Sequence, residues 1–165
     1  MPVDLLHSDD KYPYSQQEFR EFFKPITGRL PKAIIVDIDG TLAKMNGRGP
    51  FDWHRVSEDD INPAVQLLVG LASYYCEIII FSGRDSVCRQ ATVDWLREHK
   101  IPWNNLFMRP QGNFEKDAII KRRLYDEHVL GKYDIQFVVD DRNQVVDMWR
   151  KDLGLTCFQV DYGDF

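Results

Sequence analysis

Cysteine is scarce in this sequence of 165 residues, which has only Cys76, Cys88 and Cys157. The number is odd and no two of them are spaced as C-x-x-C, which argues against a zinc site. We interpret all three as small buried side chains of a protein in a reducing compartment.

Long apolar runs and an excess of positive charge are also lacking. No apolar stretch approaches the roughly 20 residues that cross a bilayer, and the polar N-terminus is unlike a signal peptide. The net charge of −5 argues against a protein that coats long stretches of nucleic acid, although binding at a nucleic-acid end stays open. We therefore expect a cytoplasmic protein without membrane contact.

The length and the 44% content of hydrophobic residues predict one globular domain with a single core. Residues 1–31 are polar and rich in proline, and we interpret them as an N-terminal extension. Ser15 with Glu18 three residues later is the pattern that begins a helix, so one short helix is expected over residues 15–23. The globular domain is predicted to span residues 32–165.

From Lys32 onwards, short apolar runs alternate with segments of helical pattern. This alternation predicts an α/β fold, a doubly wound parallel sheet with helices on both faces. The predicted strands are 33–37, 77–82, 105–108, 135–140 and 156–160, and the predicted helices are 63–72, 85–100, 113–128 and 143–152. In such sheets, ligands bind at the carboxyl ends of the strands.

Four of these strands end abruptly in polar residues. The side chains expected at this edge are those of Asp37, Asp39, Thr41, Ser82, Arg84, Arg109, Asp140 and Asp141. Carboxylates brought together in this way need a countercharge, and Mg²⁺ with oxygen ligands supplies one. The arginines and Ser82 would then face anionic oxygens of a substrate, and Gly40 and Gly83 would let backbone N–H groups approach the same anion. Any one of these strand ends alone would be read as a solvated turn.

Asp117 and Lys121 are four residues apart in a predicted helix and so share one face. Taken alone, they are best interpreted as an exposed ion pair. They lie between the second and the last of the polar strand ends in the sequence, and this order of motifs favours a second interpretation, in which Asp117 supports Lys121 inside the site.

This ordered set resembles the haloacid dehalogenase superfamily of phosphotransferases. The matching residues are Asp37-Ile38-Asp39-Gly40-Thr41, Ser82, Lys121 and Asp140-Asp141. The resemblance implies a Rossmann-like fold with a small loop insert and no large cap. It also implies Mg²⁺ held by Asp37, the backbone carbonyl of Asp39, Asp140 and Asp141, with Asp37 as the covalent nucleophile and Asp39 as the acid and base. Neighbouring carboxylates are expected to help Asp39 hold a proton.

Further segments are similar to the 3′-phosphatase domains of the polynucleotide kinase-phosphatases of T-even bacteriophages. They are KMNGRGP (44–50), INP (61–63), SGR (82–84), DDRNQVVDMWR (140–150) and GDF (163–165). The resemblance implies removal of 3′-phosphates from DNA or RNA ends during repair, in the host cytoplasm if a phage encodes the chain. It implies that Arg48, Arg84 and Arg109, with Thr41 and Gly83, bind the substrate. No G-x-x-x-x-G-K-[ST] loop of a kinase occurs, so a separate kinase or ligase partner stays open.

Two other functions stay open on the sequence alone. A small-molecule phosphatase, such as a nucleotidase, would use the same chemistry, because a fold does not fix the substrate. A non-catalytic binding protein is disfavoured, because every catalytic position carries the expected residue. Trp53 and His54 follow Arg48 in the same loop, where an aromatic ring could stack on a base, although core packing is the commoner use of Trp.

Overall fold

Strands and helices alternate from Lys32 onwards in the computed structural model, which describes residues 15–22, 29–49 and 51–163. The elements in chain order are α1 (Gln16–Phe22), β1 (Lys32–Asp37), β2 (Ala43–Lys44), β3 (Asp60–Ile61), α2 (Pro63–Ala72), β4 (Glu77–Asp85), α3 (Arg89–Glu98), β5 (Asn105–Arg109), α4 (Asp117–His128), β6 (Asp134–Arg142), α5 (Asn143–Asp147) and β7 (Cys157–Gly163). Short 3-10 helices cover Trp53–Glu58 and Ser86–Cys88, and a π-helical segment, Met148–Asp152, continues α5.

Five strands form one parallel sheet in the order β5-β4-β1-β6-β7. The predicted doubly wound α/β fold is confirmed, with β1 at the centre of the sheet. β4 and β6 run beyond their predicted ends at residues 82 and 140, to Asp85 and Arg142. Both extensions contain a register shift, between Ser82 and Asp85 and between Asp140 and Arg142, where the strands bulge as they reach the polar edge.

The two faces of the sheet carry separate apolar layers, because successive side chains of a strand point to opposite faces. Ile34 and Val36 of β1 belong to the layer covered by α2 and α3, which includes the buried Trp95. Ala33 and Ile35 belong to the layer covered by α4 and α5. Since both faces are covered, the strands read as continuous apolar runs.

Two predicted helices begin later than their sequence pattern suggested. The segment predicted to be helical from residue 85 opens with the Ser86–Cys88 3-10 turn, where the Asp85 carboxylate accepts a hydrogen bond from Val87 N at 2.8 Å. Residues 113–116 form a loop, and α4 begins at Asp117. The reason is tertiary, because Arg109 binds the carbonyl groups of Asn113 and Glu115 from outside the segment.

A small insert follows β1, in keeping with the predicted absence of a large cap. It contains the Trp53–Glu58 3-10 helix and the two-stranded antiparallel pair of β2 and β3. This insert is the only additional sheet among the described residues.

At the N-terminal end, α1 begins with the expected reciprocal cap: Ser15 N donates to Glu18 Oε2 at 2.7 Å, and Glu18 N donates to Ser15 Oγ at 3.2 Å. Most of the predicted extension, residues 1–14 and 23–28, lies outside the described residues, as do residues 164 and 165 of the GDF segment. The boundary at residue 32 stays a prediction. Among the helices that the structure describes, none combines the length and the apolar character needed to span a bilayer.

Candidate active site

Three buried carboxylates meet at the carboxyl edge of the sheet. Asp37 ends β1, and Asp140 and Asp141 lie near the end of β6, the neighbouring strand. One carboxylate oxygen of each residue lies within 4.8 Å of the others. The parallel pairing of β1 and β6 brings together residues more than 100 positions apart in the sequence.

Lys121 of α4 supplies a positive charge to this cluster. Its Nζ lies 2.7 Å from Asp37 Oδ1, 2.9 Å from Asp140 Oδ2 and 3.4 Å from Asp117 Oδ2. Burial alone would lower the pKa of Lys121, but the charges of Asp140, Asp37 and Asp117 outweigh it, and the pKa lies well above its ordinary value. The structure thus places Asp117 and Lys121 inside the site and not in an exposed ion pair.

One lysine does not fully compensate the carboxylates. Burial raises the pKa of Asp37 well above its ordinary value, with a smaller contribution from the charges of Asp140 and Asp141. Burial and the Asp140 charge likewise raise the pKa of Asp141, to about 6. Three oxygen donors that repel one another in a buried pocket are the donor set that a hard divalent cation prefers, so the residues fit such an ion.

The orientation of the β6 carboxylates is fixed by several hydrogen bonds. Asp140 Oδ1 accepts from the backbone N–H of Asp141 at 3.0 Å, and Asp140 Oδ2 accepts from Trp149 Nε1 at 3.2 Å. Thr41 Oγ1 donates to Asp141 Oδ1 at 3.3 Å. Gly40 has a φ of +85°, and a Cβ there would collide with the Asp141 carboxylate, so only glycine fits this close approach.

Asp39 belongs to a second charged group, in which its neighbours are guanidinium groups. Its Oδ1 accepts from Arg48 at 2.7 Å and from Arg84 Nε and a terminal nitrogen at 2.9 and 2.7 Å. Both arginines also bind Asp59, through Arg48 Nε at 2.7 Å and through one terminal nitrogen of each at 2.6 and 2.7 Å. Asp39 therefore contacts two guanidinium groups directly and shares them with the Asp59 carboxylate, whereas the sequence predicted that carboxylates would be its neighbours.

Arg109 is used to hold backbone. It donates to Gly83 O at 2.7 Å, to Asn113 O at 3.1 Å and to Glu115 O at 2.7 Å, and it pairs with Asp117 Oδ1 at 3.2 Å. A Cβ on Gly83 would meet Asp117 Oδ1 at 2.5 Å, so a larger residue there would push this network apart. Arg109 thus connects the ends of β4 and β5 to the start of α4.

A cavity of about 320 Å³ opens onto these groups. Of the residues predicted for the site, those that line it are Asp37, Asp39, Gly83, Arg109, Asp117 and Asp141. The others lie buried behind the wall: Thr41, Arg48, Ser82, Arg84, Lys121 and Asp140. Ser82 Oγ accepts from the backbone N–H of Arg84 at 3.1 Å, which leaves its hydroxyl proton available to a neighbour.

Sequence reasoning did not assign roles to three contributors to this site. Asp59 neutralises two arginines, Asp85 holds Gly112 N at 2.8 Å, and the Trp149 indole orients Asp140. Asp59 and Asp85 look like ordinary turn carboxylates in the sequence, and only their burial distinguishes them. Of the aromatic candidates, Trp53 packs against the core, whereas the more exposed ring beside it is that of Phe51.

Comparisons with known proteins agree with this geometry. Residues 31–165 match the family model described as the polynucleotide kinase PNKP phosphatase domain. A putative bifunctional polynucleotide kinase/RNA ligase of Autographa californica nuclear polyhedrosis virus is 38% identical over 152 residues, which is 88% of this chain and 22% of that protein.

Solved structures give the same result for the fold. A chain of a Pnkp1/Rnl/Hen1 RNA repair complex superimposes with a TM-score of 0.81 at 44% identity, over 82% of this chain and 44% of that chain. A second Pnkp1/Rnl/Hen1 structure gives 0.82 at 42% identity, over 87% and 50%. The class C acid phosphatase from Bacillus anthracis with tungstate bound shares the fold alone, with a TM-score of 0.58 at 19% identity, over 84% and 70%.

This chain spans about a fifth of the curated relative and about half of the Pnkp1 chains. The family model, in contrast, covers the chain from residue 31 to its last residue. The Asp37–Lys121–Asp140 arrangement lies wholly within the matched part. The chain therefore belongs to the family of PNKP phosphatase domains and is a phosphatase of the haloacid dehalogenase type.

Proposed function

We propose that this chain is a polynucleotide 3′-phosphatase that works through an aspartyl-phosphate on Asp37. The observation that carries the proposal is the 2.7 Å contact between Lys121 Nζ and Asp37 Oδ1 in a member of the PNKP phosphatase family. A charged lysine beside a nucleophile also attracts the phosphate that the nucleophile must attack.

Asp37 attacks phosphorus and displaces the sugar oxygen, and the phosphoryl group is transferred to the Asp37 carboxylate. Lys121 remains paired with Asp140, so it is fixed in place while Asp37 changes its bonding. Ser82, Gly83 and Thr41 were predicted to hold phosphate oxygens. We retain Ser82 and the Gly83 N–H in this role and assign Thr41 to the orientation of Asp141.

Asp39 donates a proton to the leaving sugar oxygen and later removes one from the water that attacks the aspartyl-phosphate. All of its guanidinium contacts reach Oδ1, and Asp39 lines the cavity with 19% of its side chain exposed. This leaves Oδ2 for the transferred proton. Arg48 and Arg84 therefore act as positioning residues that aim the acid, and Asp59 fixes the two arginines.

Asp37, Asp140 and Asp141 are the residues that would hold a divalent cation, with the backbone carbonyl of Asp39 as a further proposed ligand. When bound, Mg²⁺ would neutralise charge on the phosphate and lower its repulsion by Asp37. The family and the acidic cluster support a metal of this class, and the choice of magnesium follows from the hard oxygen ligands.

The family, and not a set of unpaired arginines, supports a nucleic-acid substrate. Arg48, Arg84 and Arg109 are each engaged by protein groups, so their direct contact with a second phosphate is not supported by this geometry. The relatives are named for polynucleotide kinase, RNA ligase and RNA repair. We propose on that basis that the substrate is a 3′-phosphorylated end, and that a kinase or ligase acts on the same ends. The free thiols of all three cysteines support a cytoplasmic setting.

A small-molecule phosphatase is the second candidate. The acidic net charge of −5 and the internal use of the three arginines favour it, because few cations remain for a long polyanion. The two candidates share the catalytic residues and differ only in what binds outside the phosphate pocket.

Asp37→Asn is expected to abolish turnover and to leave the fold intact. Asparagine retains the shape of aspartate but cannot form the acyl-phosphate, and its neutral side chain removes the cost of burying a charge beside Asp140 and Asp141. Thermal unfolding should therefore give a Tm equal to or above that of the wild type.

The intermediate itself can be detected in Asp39→Asn with an aryl phosphate, whose leaving group needs no proton. Acid-quenched Asp39→Asn should carry a hydroxylamine-sensitive phosphoryl group, since water attack has lost its base. Asp37→Asn treated in the same way should carry none. Steady turnover by pure Asp37→Asn would refute the covalent mechanism.

Asp59→Asn is expected to weaken both stability and acid catalysis. It leaves two buried guanidinium groups with Asp39 as their remaining shared carboxylate. We therefore expect the free energy of unfolding to fall by about 3–5 kcal/mol. Glu58→Gln is the matched control, because Glu58 forms only an exposed ion pair with Arg55. Urea denaturation compares the two variants.

A positioning role for Asp59 also predicts a dependence on the leaving group. The folded Asp59→Asn enzyme should lose about 10- to 100-fold in kcat on an alkyl phosphate, as for a lost charged hydrogen bond. It should lose much less on an aryl phosphate. Equal losses on both substrates would mean that Asp59 serves stability alone.

Removal of divalent cations is expected to abolish activity, and added Mg²⁺ should restore it. Asp140→Asn should bind Mg²⁺ more weakly in calorimetric titrations, because it removes one of three clustered carboxylates. Asp147→Asn, an exposed carboxylate on α5 that pairs with Lys151, is the control. Full activity after exhaustive chelation would exclude the metal.

The substrate is tested by comparing an oligonucleotide 3′-phosphate, the same oligonucleotide with a 5′-phosphate, and free nucleotides. We expect the 3′-phosphate to be preferred by at least about tenfold in kcat/KM, which corresponds to about 1.4 kcal/mol in the transition state. The same measurements in DNA and RNA assign the sugar preference. A preference for free nucleotides would select the small-molecule phosphatase.

A further inference from the structure

The active-site cavity has an aromatic and cationic rim that the catalytic chemistry does not use. Its volume of about 320 Å³ lies at the lower end of the range for small-molecule sites. This volume is larger than a phosphoryl group alone requires. Besides the predicted site residues, the cavity is lined by Glu115, Arg142 and Gln144 and by three further side chains, those of Phe51, Phe114 and Lys116. These three side chains come from the two loops that follow β2 and β5.

The two phenylalanine rings are unusually exposed for their type. Phe51 is 69% exposed and Phe114 is 80% exposed, although both border a cavity that leads to buried carboxylates. A single exposed apolar side chain is ordinary, but two on the mouth of one polar cavity form a patch of the kind that marks a binding site.

Both rings are carried by backbone that is held in place. The carbonyl groups on either side of Phe114, of Asn113 and Glu115, accept hydrogen bonds from Arg109, and Gly112 N donates to Asp85. On the other loop, Gly49 and Asp52 exchange hydrogen bonds of 2.9 and 3.1 Å across the turn that carries Phe51. A rigid loop that presents an exposed ring loses little conformational entropy when a ligand covers that ring.

Lys116 is an exposed cation on the rim and is placed to bind a second anion. It is exposed and lines the cavity, and its ammonium group makes no hydrogen bond or ion pair with any residue that the structure describes. The three buried arginines, in contrast, are saturated by protein groups. Lys116 lies two residues from Phe114, so an aromatic face and a positive charge project from one anchored loop.

We propose that Phe51, Phe114 and Lys116 form a subsite for the nucleotide that carries the scissile phosphate. The terminal base and its neighbour stack on the phenylalanine rings, and Lys116 pairs with the adjoining internucleotide phosphate. Phenylalanine has no hydrogen-bonding group, so the subsite accepts any base. The inference rests on the proposed 3′-phosphatase function and adds to it how a strand end is distinguished from other phosphate esters.

The decisive comparison uses two 3′-phosphorylated oligonucleotides that differ only in the last nucleotide, which is normal in one and abasic in the other. For the wild type, we expect kcat/KM to be about 5- to 100-fold higher for the normal end, the range of stacking on one aromatic ring. In Phe51→Ala, Phe114→Ala and the double variant this ratio should fall towards one. Phe114→Trp should keep or increase it.

Matched controls separate this effect from general damage. Tyr74→Ala removes an aromatic ring that is 76% exposed at the end of α2, away from the cavity, and should leave the ratio unchanged. Lys116→Gln should lower kcat/KM for a dinucleotide 3′-phosphate more than for a mononucleoside 3′-phosphate, which has no second phosphate. Lys100→Gln, in a separate surface pocket beside Tyr74, should affect neither.

A binding measurement independent of activity completes the test. An oligonucleotide 3′-phosphate with 2-aminopurine as its last base should lose fluorescence when it stacks in the Asp37→Asn protein. The loss should disappear when the two phenylalanines are also replaced by alanine. Binding with unchanged fluorescence, or a ratio that the phenylalanine variants do not alter, would overturn the subsite.

The two proposals fail in different ways. If the wild type prefers 3′-phosphates but treats normal and abasic ends alike, the subsite is wrong and the 3′-phosphatase function stands. The opposite failure begins with a wild type that prefers free nucleotides. If the phenylalanine variants then hydrolyse free nucleotides more slowly, with no matching loss on abasic sugar phosphates, the rings bind a base but the polynucleotide function is wrong.

Discussion

Lys121 is the side chain on which the geometry of the site depends. Its ammonium group lies between Asp37 and Asp140, with Asp117 one helical turn away on α4. Without it, buried carboxylates from neighbouring strands would repel one another at the sheet edge. The lysine therefore connects helix α4 to strands β1 and β6, and it fixes the position of Asp37, the proposed nucleophile.

The site separates its charges into two groups with different tasks. Around Asp37 the carboxylates exceed the cations, and this surplus suits a divalent ion and an anionic phosphate together. Around Asp39 two guanidinium groups are shared with Asp59. Asp37 and Asp39 lie only two residues apart, yet they lie in opposite electrostatic surroundings. In the proposed mechanism the two aspartates have different tasks, and the contacts of Asp39 fix one of its oxygens while the other stays free to exchange a proton.

The positions of the strands and the polar edge of the sheet could be predicted from the sequence because both depend on local patterns. The apolar run ending at Asp37 indicates a buried strand, and parallel strands must place their carboxyl ends together. The partners of the arginines could not be predicted in this way. Arg48 and Arg84 are 36 residues apart, and nothing in the local sequence indicates that Asp59 lies between their guanidinium groups.

The same limit applies to the prediction that Arg48, Arg84 and Arg109 bind the substrate. Arginine is a frequent phosphate ligand, so an arginine near a catalytic motif is naturally assigned to substrate. Whether a guanidinium group is available depends on burial and on long-range partners, which a linear pattern does not contain. Here the arginines hold Asp39 and the loop of residues 110–116 in place, and the exposed side chains on the rim include two phenylalanines. Selectivity for a nucleic-acid end is therefore better sought in ring stacking than in added positive charge, which also agrees with an acidic protein.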